Sequence, residues 1–196
     1  MTEKEKMKKG ILYNANYDKE LIEDRLRAKD LCFKYNNTLP SDEKALREII
    51  HDLGIKTKEN FFFTGPFYCD YGYNISVGEN FYANHNLIIL DGAKVSFGDN
   101  IFIAPNCTFS TAGHPIDKDR RNKGLEYAHP ITVGDDVWFG ANVSVMPGVS
   151  IGSNVVIGAG SLVNKDIPDN SLAFGNPCKV YRQITEEDKK TSWDFK

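Results

Sequence analysis

Residues 131–163 read ITVGDDVWFGANVSVMPGVSIGSNVVIGAGSLV. Within this stretch Val133, Phe139, Val145, Ile151, Ile157 and Val163 recur every six positions. A second ladder runs two residues ahead of the first: Ile131, Val137, Val143, Val149 and Val155, with Ser161 as its small member. The same pair of ladders extends upstream. Val77, Ala83, Ile89, Phe97, Ile103 and Phe109 carry the first, and Ile75, Phe81, Leu87, Val95, Ile101 and Cys107 the second. Glycine follows the first ladder at 78, 98, 134, 140, 152 and 158. Each hexad therefore reads as a short strand of period two followed by a turn that calls for permissive dihedrals. Three strands per turn close a triangular coil of about 18 residues, and stacked coils bury the ladders and pair the backbone between rungs. Short apolar runs with glycine turns also describe a β-sandwich. Sandwich strands, however, do not hold one six-residue register over so long a stretch. The expected fold is mainly β: a parallel β-helix of hexapeptide repeats.

The register breaks twice. Two extra residues enter at Asp91-Gly92, and a long excursion from Thr111 to Pro130 leaves the coil and returns. Breaks in a solenoid are where local chemistry is added. Residues 1–60 follow a different period. Asp18 precedes Leu21, Ile22, Leu26, Ala28, Cys32 and Phe33 at helical spacing. Asn36-Asn37 and Pro40 end that helix. Ser41 is expected to cap a second, whose apolar face is Leu46, Ile49, Ile50 and Leu53, with Gly54 past its end. The expected organisation is an N-terminal helical segment at 1–60, a coil at 61–178 with an excursion loop at 111–130, and a C-terminal tail at 179–196.

Composition narrows the function. The 196 residues carry 24 Lys plus Arg against 27 Asp plus Glu, a net charge of −3. That balance argues against a general nucleic-acid binder. No apolar run approaches the roughly 18 residues of a membrane span, and the start has no apolar leader segment. Cys32, Cys69, Cys107 and Cys178 are scattered without a CxxC, as in a reduced, cytoplasmic protein. A cysteine nucleophile has no support: Cys107 lies on the inner ladder, and neither it nor Cys178 has a histidine partner in sequence.

Several stretches together resemble the maltose and galactoside O-acetyltransferases of the left-handed β-helix superfamily. They are Gly10-Ile-Leu-Tyr13 with Arg25-Leu-Arg-Ala-Lys29, Cys69-Asp-Tyr-Gly-Tyr-Asn74, Phe81-Tyr-Ala-Asn84, Thr111-Ala-Gly-His-Pro-Ile116, Val137-Trp-Phe-Gly140, Lys165-Asp-Ile-Pro168 and Gly175-Asn-Pro177. The left hand of the coil is implied by this resemblance alone, since general topology favours right-handed crossovers. The resemblance implies an acetyl-CoA-dependent O-acetyltransferase acting on a sugar hydroxyl, by direct transfer in a ternary complex. It further implies a homotrimer with active sites between subunits.

Acyl transfer to a hydroxyl needs a base, and neutral imidazole serves at pH 7; His114 holds that place in the excursion. Glu126 either orients its ring, binds the acceptor, or is simply solvated. The resemblance places Asn84 at the reacting groups, although Asn also suits a turn that otherwise carries glycine. It assigns Asp70 and Arg25 to the acceptor, although Asp70 also suits a turn before Tyr71-Gly72; Tyr82 either lines the same pocket or packs on the surface. A carboxylate offers two acceptor oxygens to paired sugar hydroxyls. Arg25 has no acidic neighbour three or four residues away and otherwise reads as solvated. On the CoA side the matching positions are Trp138, Ala141, Ala159 and Lys165, with Lys179 and Arg182 toward the adenine end. Two departures stand out. Relatives carry Asp shortly after the aromatic at 13, where this chain reads Asn14-Ala15-Asn16, and Arg where this chain has Lys179.

Other functions on this fold remain open at this point. One is acetylation of an antibiotic hydroxyl, against which the N-terminal helical segment argues. A second is a metalloenzyme using His85, His114 and His129, whose contexts do not fit it; no metal is expected. A third is a non-catalytic solenoid.

Overall fold

The computed structural model describes residues 1–190; residues 191–196 of the expected tail lie outside the described residues. The hexads form the expected stacked coils. Parallel strands lie in three sheets: a seven-stranded face, a five-stranded face and a four-stranded face, visited in that order on each turn. Register is kept from rung to rung. On the seven-stranded face Phe62, Tyr82, Phe102, Trp138, Val156 and Leu172 are in line. The residues flanking each of these point inward and are buried, as in Ile101 and Ile103 around Phe102. Phe81, Phe97, Phe109 and Phe139 continue the interior as an aromatic column with ring centroids about 5 Å apart. Burying that column and two aliphatic ladders removes apolar surface from water along the whole axis, the dominant favourable term in folding.

The turn glycines serve a different purpose from the expected one. None of Gly78, Gly98, Gly134, Gly140, Gly152 and Gly158 has positive φ. A Cβ on Gly140 would lie 2.6 Å from the Ala159 amide nitrogen, and one on Gly134 would lie 2.8 Å from the Gly152 carbonyl carbon. These glycines let successive rungs approach. The left-handed backbone falls two residues later in the hexad, at Asn80, Asn100, Asp136, Asn142, Asn154 and Asn170. Asn and Asp tolerate it because a short polar side chain bonds locally. Here they also bond between rungs: Asn80 Nδ2 donates to Asn100 Oδ1, and Asn100 Nδ2 to Asp136 Oδ1, both at 2.9 Å.

The N-terminal segment contains more than two helices. Helix α1 (Glu3–Lys8) is closed by a capping box between Thr2 and Glu5. A short strand, Tyr13–Asn14, follows. Helix α2 (Lys19–Asn36) is capped by Asp18, as expected. Helix α3 (Glu43–Asp52) is capped by Asp42, which accepts from Ala45 N at 3.1 Å, and not by Ser41. Both residue types serve, but only the carboxylate of Asp42 reaches the amide and complements the helix dipole. Helix α2 lies against the coil. Tyr35 Oη donates to the Phe63 carbonyl at 2.5 Å, and the Asn36 amide brackets Phe67, accepting from its N–H at 2.8 Å and donating to its carbonyl at 3.1 Å.

The excursion is ordered rather than a plain loop. Ala112–Gly113 and Leu125–Ala128 pair antiparallel, with helix α4 (Lys118–Asn122) between them. Tyr13–Asn14 adds to the outer edge, pairing Tyr13 with Glu126. The expected tail begins as a strand: Lys179–Gln183 runs antiparallel to Ser171–Phe174 and ends the seven-stranded face. No helix among the described residues is long and apolar enough to cross a membrane.

Candidate active site

One corner of the coil, where the five-stranded face turns toward the four-stranded face, gathers the polar groups. Asp70, Asp91 and Thr111 follow successive strands of the five-stranded face there, and the excursion leaves from the last of them. Asp91 is fully buried and accepts from the backbone amides of Tyr71 at 2.9 Å, Asp70 at 3.0 Å and Asn74 at 3.4 Å. Burial outweighs those bonds and pushes its carboxyl up to about 6. The two extra residues at Asp91-Gly92 thus create a buried anchor for the turn that carries Asp70.

Arg25 is not solvated. Its guanidinium donates to Tyr71 Oη at 2.7 Å and to the Ala15 carbonyl at 2.5 Å. Burial raises the Asp70 carboxyl above its usual range; the Arg25 charge lowers it, and the Glu126 charge raises it again. Tyr13 Oη donates to Glu126 Oε2 at 3.3 Å. Burial first, then the Glu126 charge, pushes the Tyr13 hydroxyl up strongly, so it remains a donor at neutral pH. Burial likewise pushes Tyr71 up to about 12.

His114 stands at the rim of this cluster with its side chain 47% exposed. Its Nδ1 lies 3.0 Å from the Leu125 carbonyl oxygen. A carbonyl only accepts, so Nδ1 carries the proton and Nε2 of the neutral ring presents its lone pair. Nε2 lies 3.8 Å from Glu126 Oε1, whose side chain is 18% exposed. His114, Glu126, Asp70 and Arg25 are therefore brought into one neighbourhood. Tyr13, Tyr71, Asp91 and the Leu125 carbonyl join them, none having been assigned a role from the sequence. Tyr13 and Tyr71 lie in stretches that resemble the family, and Asp91 lies at the break in register.

The remaining site residues lie elsewhere. Asn84 follows the strand Phe81–Ala83 of the seven-stranded face, at the opposite end of the five-stranded face from His114. Roughly five residues of strand, about 17 Å, separate these corners. Its φ is not positive, so glycine-like backbone does not explain it; its Oδ1 accepts from His85 N at 2.7 Å. Ala141 and Ala159 lie higher on the same edge, and Trp138 projects from the adjoining face, 53% exposed. Tyr82 is stacked on Phe62, ring planes within 4° and centroids 6.1 Å apart. Lys165 is exposed on the same corner as Asp70 and Thr111 but further along the coil, after Leu162–Val163. Lys179 is exposed on the terminal strand, whereas Arg182 is engaged by Asp188 through contacts of 2.5 and 2.9 Å. His85 and His129 do not join His114: His85 Nδ1 faces the Gly65 carbonyl at 2.5 Å, and His129 packs on Tyr127. Among the described residues no three His, Cys, Asp or Glu side chains converge on one point.

Residues 6–53 match the maltose acetyltransferase hexapeptide capping motif, and residues 130–165 match the bacterial transferase hexapeptide (six repeats) family. A candidate acetyltransferase of Saccharomyces cerevisiae is 56% identical, with 93% of each chain aligned. The crystal structure of a maltose O-acetyltransferase from Clostridium difficile 630 superposes with a TM-score of 0.91 at 49% identity, covering 95% of this chain and 99% of that one. A galactoside acetyltransferase in complex with coenzyme A superposes with a TM-score of 0.92 at 44% identity, covering 100% and 96%. With both its capping motif and its coil matched at such identity over nearly full length, the chain belongs to the maltose and galactoside O-acetyltransferase family of hexapeptide-repeat acetyltransferases.

Proposed function

We propose that the protein transfers acetyl from acetyl-CoA to a sugar hydroxyl, with His114 as general base. The observation that carries this reading is the hydrogen bond from His114 Nδ1 to the Leu125 carbonyl, which leaves Nε2 free to take a proton. The acceptor hydroxyl gives its proton to Nε2 as its oxygen bonds to the thioester carbonyl carbon. The tetrahedral intermediate collapses, the carbon–sulfur bond breaks, and Nε2 returns the proton to the departing thiolate. Asp70, Arg25 and Glu126 line the approach with acceptors and a donor for neighbouring hydroxyls. The sugar class rests on the family and on the names of its galactoside and maltose members.

Coenzyme A suits the other edge of the coil. The pantetheine arm is thin and needs small residues beside it. Ala141 and Ala159 supply them, and the space beside Gly160 is open, with nothing within 4 Å of where a Cβ would lie. Trp138 offers an exposed aromatic face against the arm, and Lys179 offers charge for the phosphates, at a strength that falls with salt; Lys165, on the opposite corner of its own chain, reaches that edge only from a neighbouring subunit. Arg182 contributes only when it leaves Asp188. A neighbour that binds coenzyme A supports this placement.

His114 and the Asn84–Trp138 edge lie too far apart in one chain to share a substrate. We therefore place each active site between two subunits of a homotrimer. The exposed apolar line of Phe62, Phe102 and Trp138 on the seven-stranded face supports this, since contiguous exposed apolar surface marks an interaction site. Light scattering is expected to give three times the 22.1 kDa chain mass; a monomer that is fully active refutes the shared site.

The deciding experiment is thiol release from acetyl-CoA across glucosides, maltose, galactosides and hydroxylated antibiotics. Turnover on sugars supports the reading, and silence on all sugars with turnover elsewhere overturns the substrate class. Trp138→Ala is expected to raise the CoA dissociation constant roughly tenfold, about 1.4 kcal/mol, with little change in acceptor KM. Unchanged CoA binding by calorimetry removes Trp138 from that site.

A further inference from the structure

Helix α2 meets the five-stranded face at two cysteines. Cys32, on the helix, and Cys69, the last residue of the strand Phe67–Cys69, are both free and buried, with sulfurs 3.8 Å apart. Cys107 and Cys178 show no such sulfur partner among the described residues; Cys107 Sγ instead faces the Gly140 carbonyl inside the coil. Both thiols of the pair line a cavity of about 580 Å³, walled also by Lys29, Phe33, Tyr68 and Asp70. A small reagent therefore has a route to them despite their burial. We propose that Cys32 and Cys69 are a redox-active dithiol that a hydroperoxide converts to a disulfide, clamping α2 to the coil.

The geometry favours this pair over any other. A disulfide needs about 2.05 Å between sulfurs, so closure requires less than about 2 Å of combined movement, shared between a helix and a strand already in contact. The two thiols are also unequal. The two sulfurs share one contact in which either thiol can donate; that contact first, then burial and the Asp91 charge, holds the Cys69 thiol well above the usual range. Cys32, the easier of the two to ionise, is the thiol that reacts first, and Cys69 is the resolving thiol. In the first step Cys32 sulfur bonds to a peroxide oxygen, the O–O bond breaks, and the released oxygen leaves as water or alcohol with the Cys32 proton. In the second, Cys69 sulfur bonds to the Cys32 sulfenic sulfur, the S–O bond breaks, and water leaves with the Cys69 proton. The sulfurs lose two electrons together, and the hydroperoxide gains them. The bond would close a loop of 36 intervening residues, removing chain entropy from the unfolded state.

The test treats the full-length protein with hydrogen peroxide and reads intact mass, free-thiol count and melting temperature. The expected result is a loss of two hydrogens, a fall from four free thiols to two, a peptide linking Cys32 to Cys69, and a Tm raised by roughly 5–10 °C, all reversed by dithiothreitol. Cys32→Ala and Cys69→Ser are each expected to abolish the mass change while leaving Cys107 and Cys178 titratable in urea. Four thiols persisting after peroxide, a link involving Cys107 or Cys178, or a Tm that does not rise when the bond forms would each overturn the proposal. Because every readout is structural, it stands or falls apart from the identity of the acetyl acceptor.

Discussion

Replacing His114 by alanine is expected to lower kcat for acetyl transfer by roughly 10²–10⁴-fold, the usual share of a positioned general base. The expectation follows from the ring's surroundings. Its Nδ1 is committed to the Leu125 carbonyl, so the ring has one free nitrogen in its neutral form and that nitrogen faces the rim of the Asp70–Glu126 cluster. Removal of the ring takes away the base without disturbing the core, because the side chain is half exposed. CoA affinity and Tm should therefore stay close to wild type, and the loss should sit in kcat rather than in binding. His114→Asn sharpens the point. Its amide can still donate to a carbonyl but cannot take a proton at neutral pH, so it should be as inactive as alanine. Turnover is measured as thiol release at saturating acetyl-CoA. Near-wild-type kcat in either variant would remove His114 as the base.

Asp91→Ala is expected to destabilise the fold by about 3–5 kcal/mol. Three backbone amides, of Asp70, Tyr71 and Asn74, donate to its carboxylate in the buried corner. Each unsatisfied buried donor costs about 1–3 kcal/mol, and removing the buried charge offsets part of the total. The carboxyl of Asp91 also sets a pH dependence. Burial raises it to about 6 in the folded chain against the 3.8 of a free Asp. Between those values the folded state binds more protons than the unfolded state, so stability falls as pH rises. The contribution is complete below about pH 4 and is lost by about pH 6, worth about 3 kcal/mol. Urea midpoints across this range should fall more steeply in wild type than in Asp91→Asn, which has no proton to lose. An equal slope in the two proteins would show that Asp91 does not titrate in this window. Acceptor KM should rise in Asp91→Asn as well, since the turn it braces carries Asp70.

Much of the architecture was legible because a solenoid is written locally. The six-residue ladder records which side chains face the axis, and each rung pairs with the next at fixed offset, so period alone implies stacking. Helices α2 and α3 were legible from period 3.6 and from Asp18, whereas the short α1 and α4 carry no apolar period. Sequence and structure differ where two chemistries share the same residue types. Glycine after each ladder residue is consistent with a positive φ and with close approach, and only the distance from Gly140 to Ala159 decides for the latter. Ser41 and Asp42 are both capping residues; the position of the Ala45 amide selects the second. The excursion looked like a loop because its strands pair with each other and with residues more than a hundred positions away.

The site divides along the same line. His114 and Arg25 stood out by the stretches around them. The Leu125 carbonyl that orients His114, the Tyr13 hydroxyl on Glu126, and the Tyr71 hydroxyl that removes Arg25 from solvent carry no pattern of their own. A backbone carbonyl exists at every residue, and the stretches that hold Tyr13 and Tyr71 do not say what their hydroxyls meet. The coil, its axis-facing ladders and helices α2 and α3 follow from spacing between near neighbours, and the family from short contiguous stretches. The tertiary structure alone decided which polar groups meet and which nitrogen of His114 is free. Those depend on Tyr13–Asn14 closing against Leu125–Glu126, a pairing that joins distant parts of the chain and leaves no periodic trace in it.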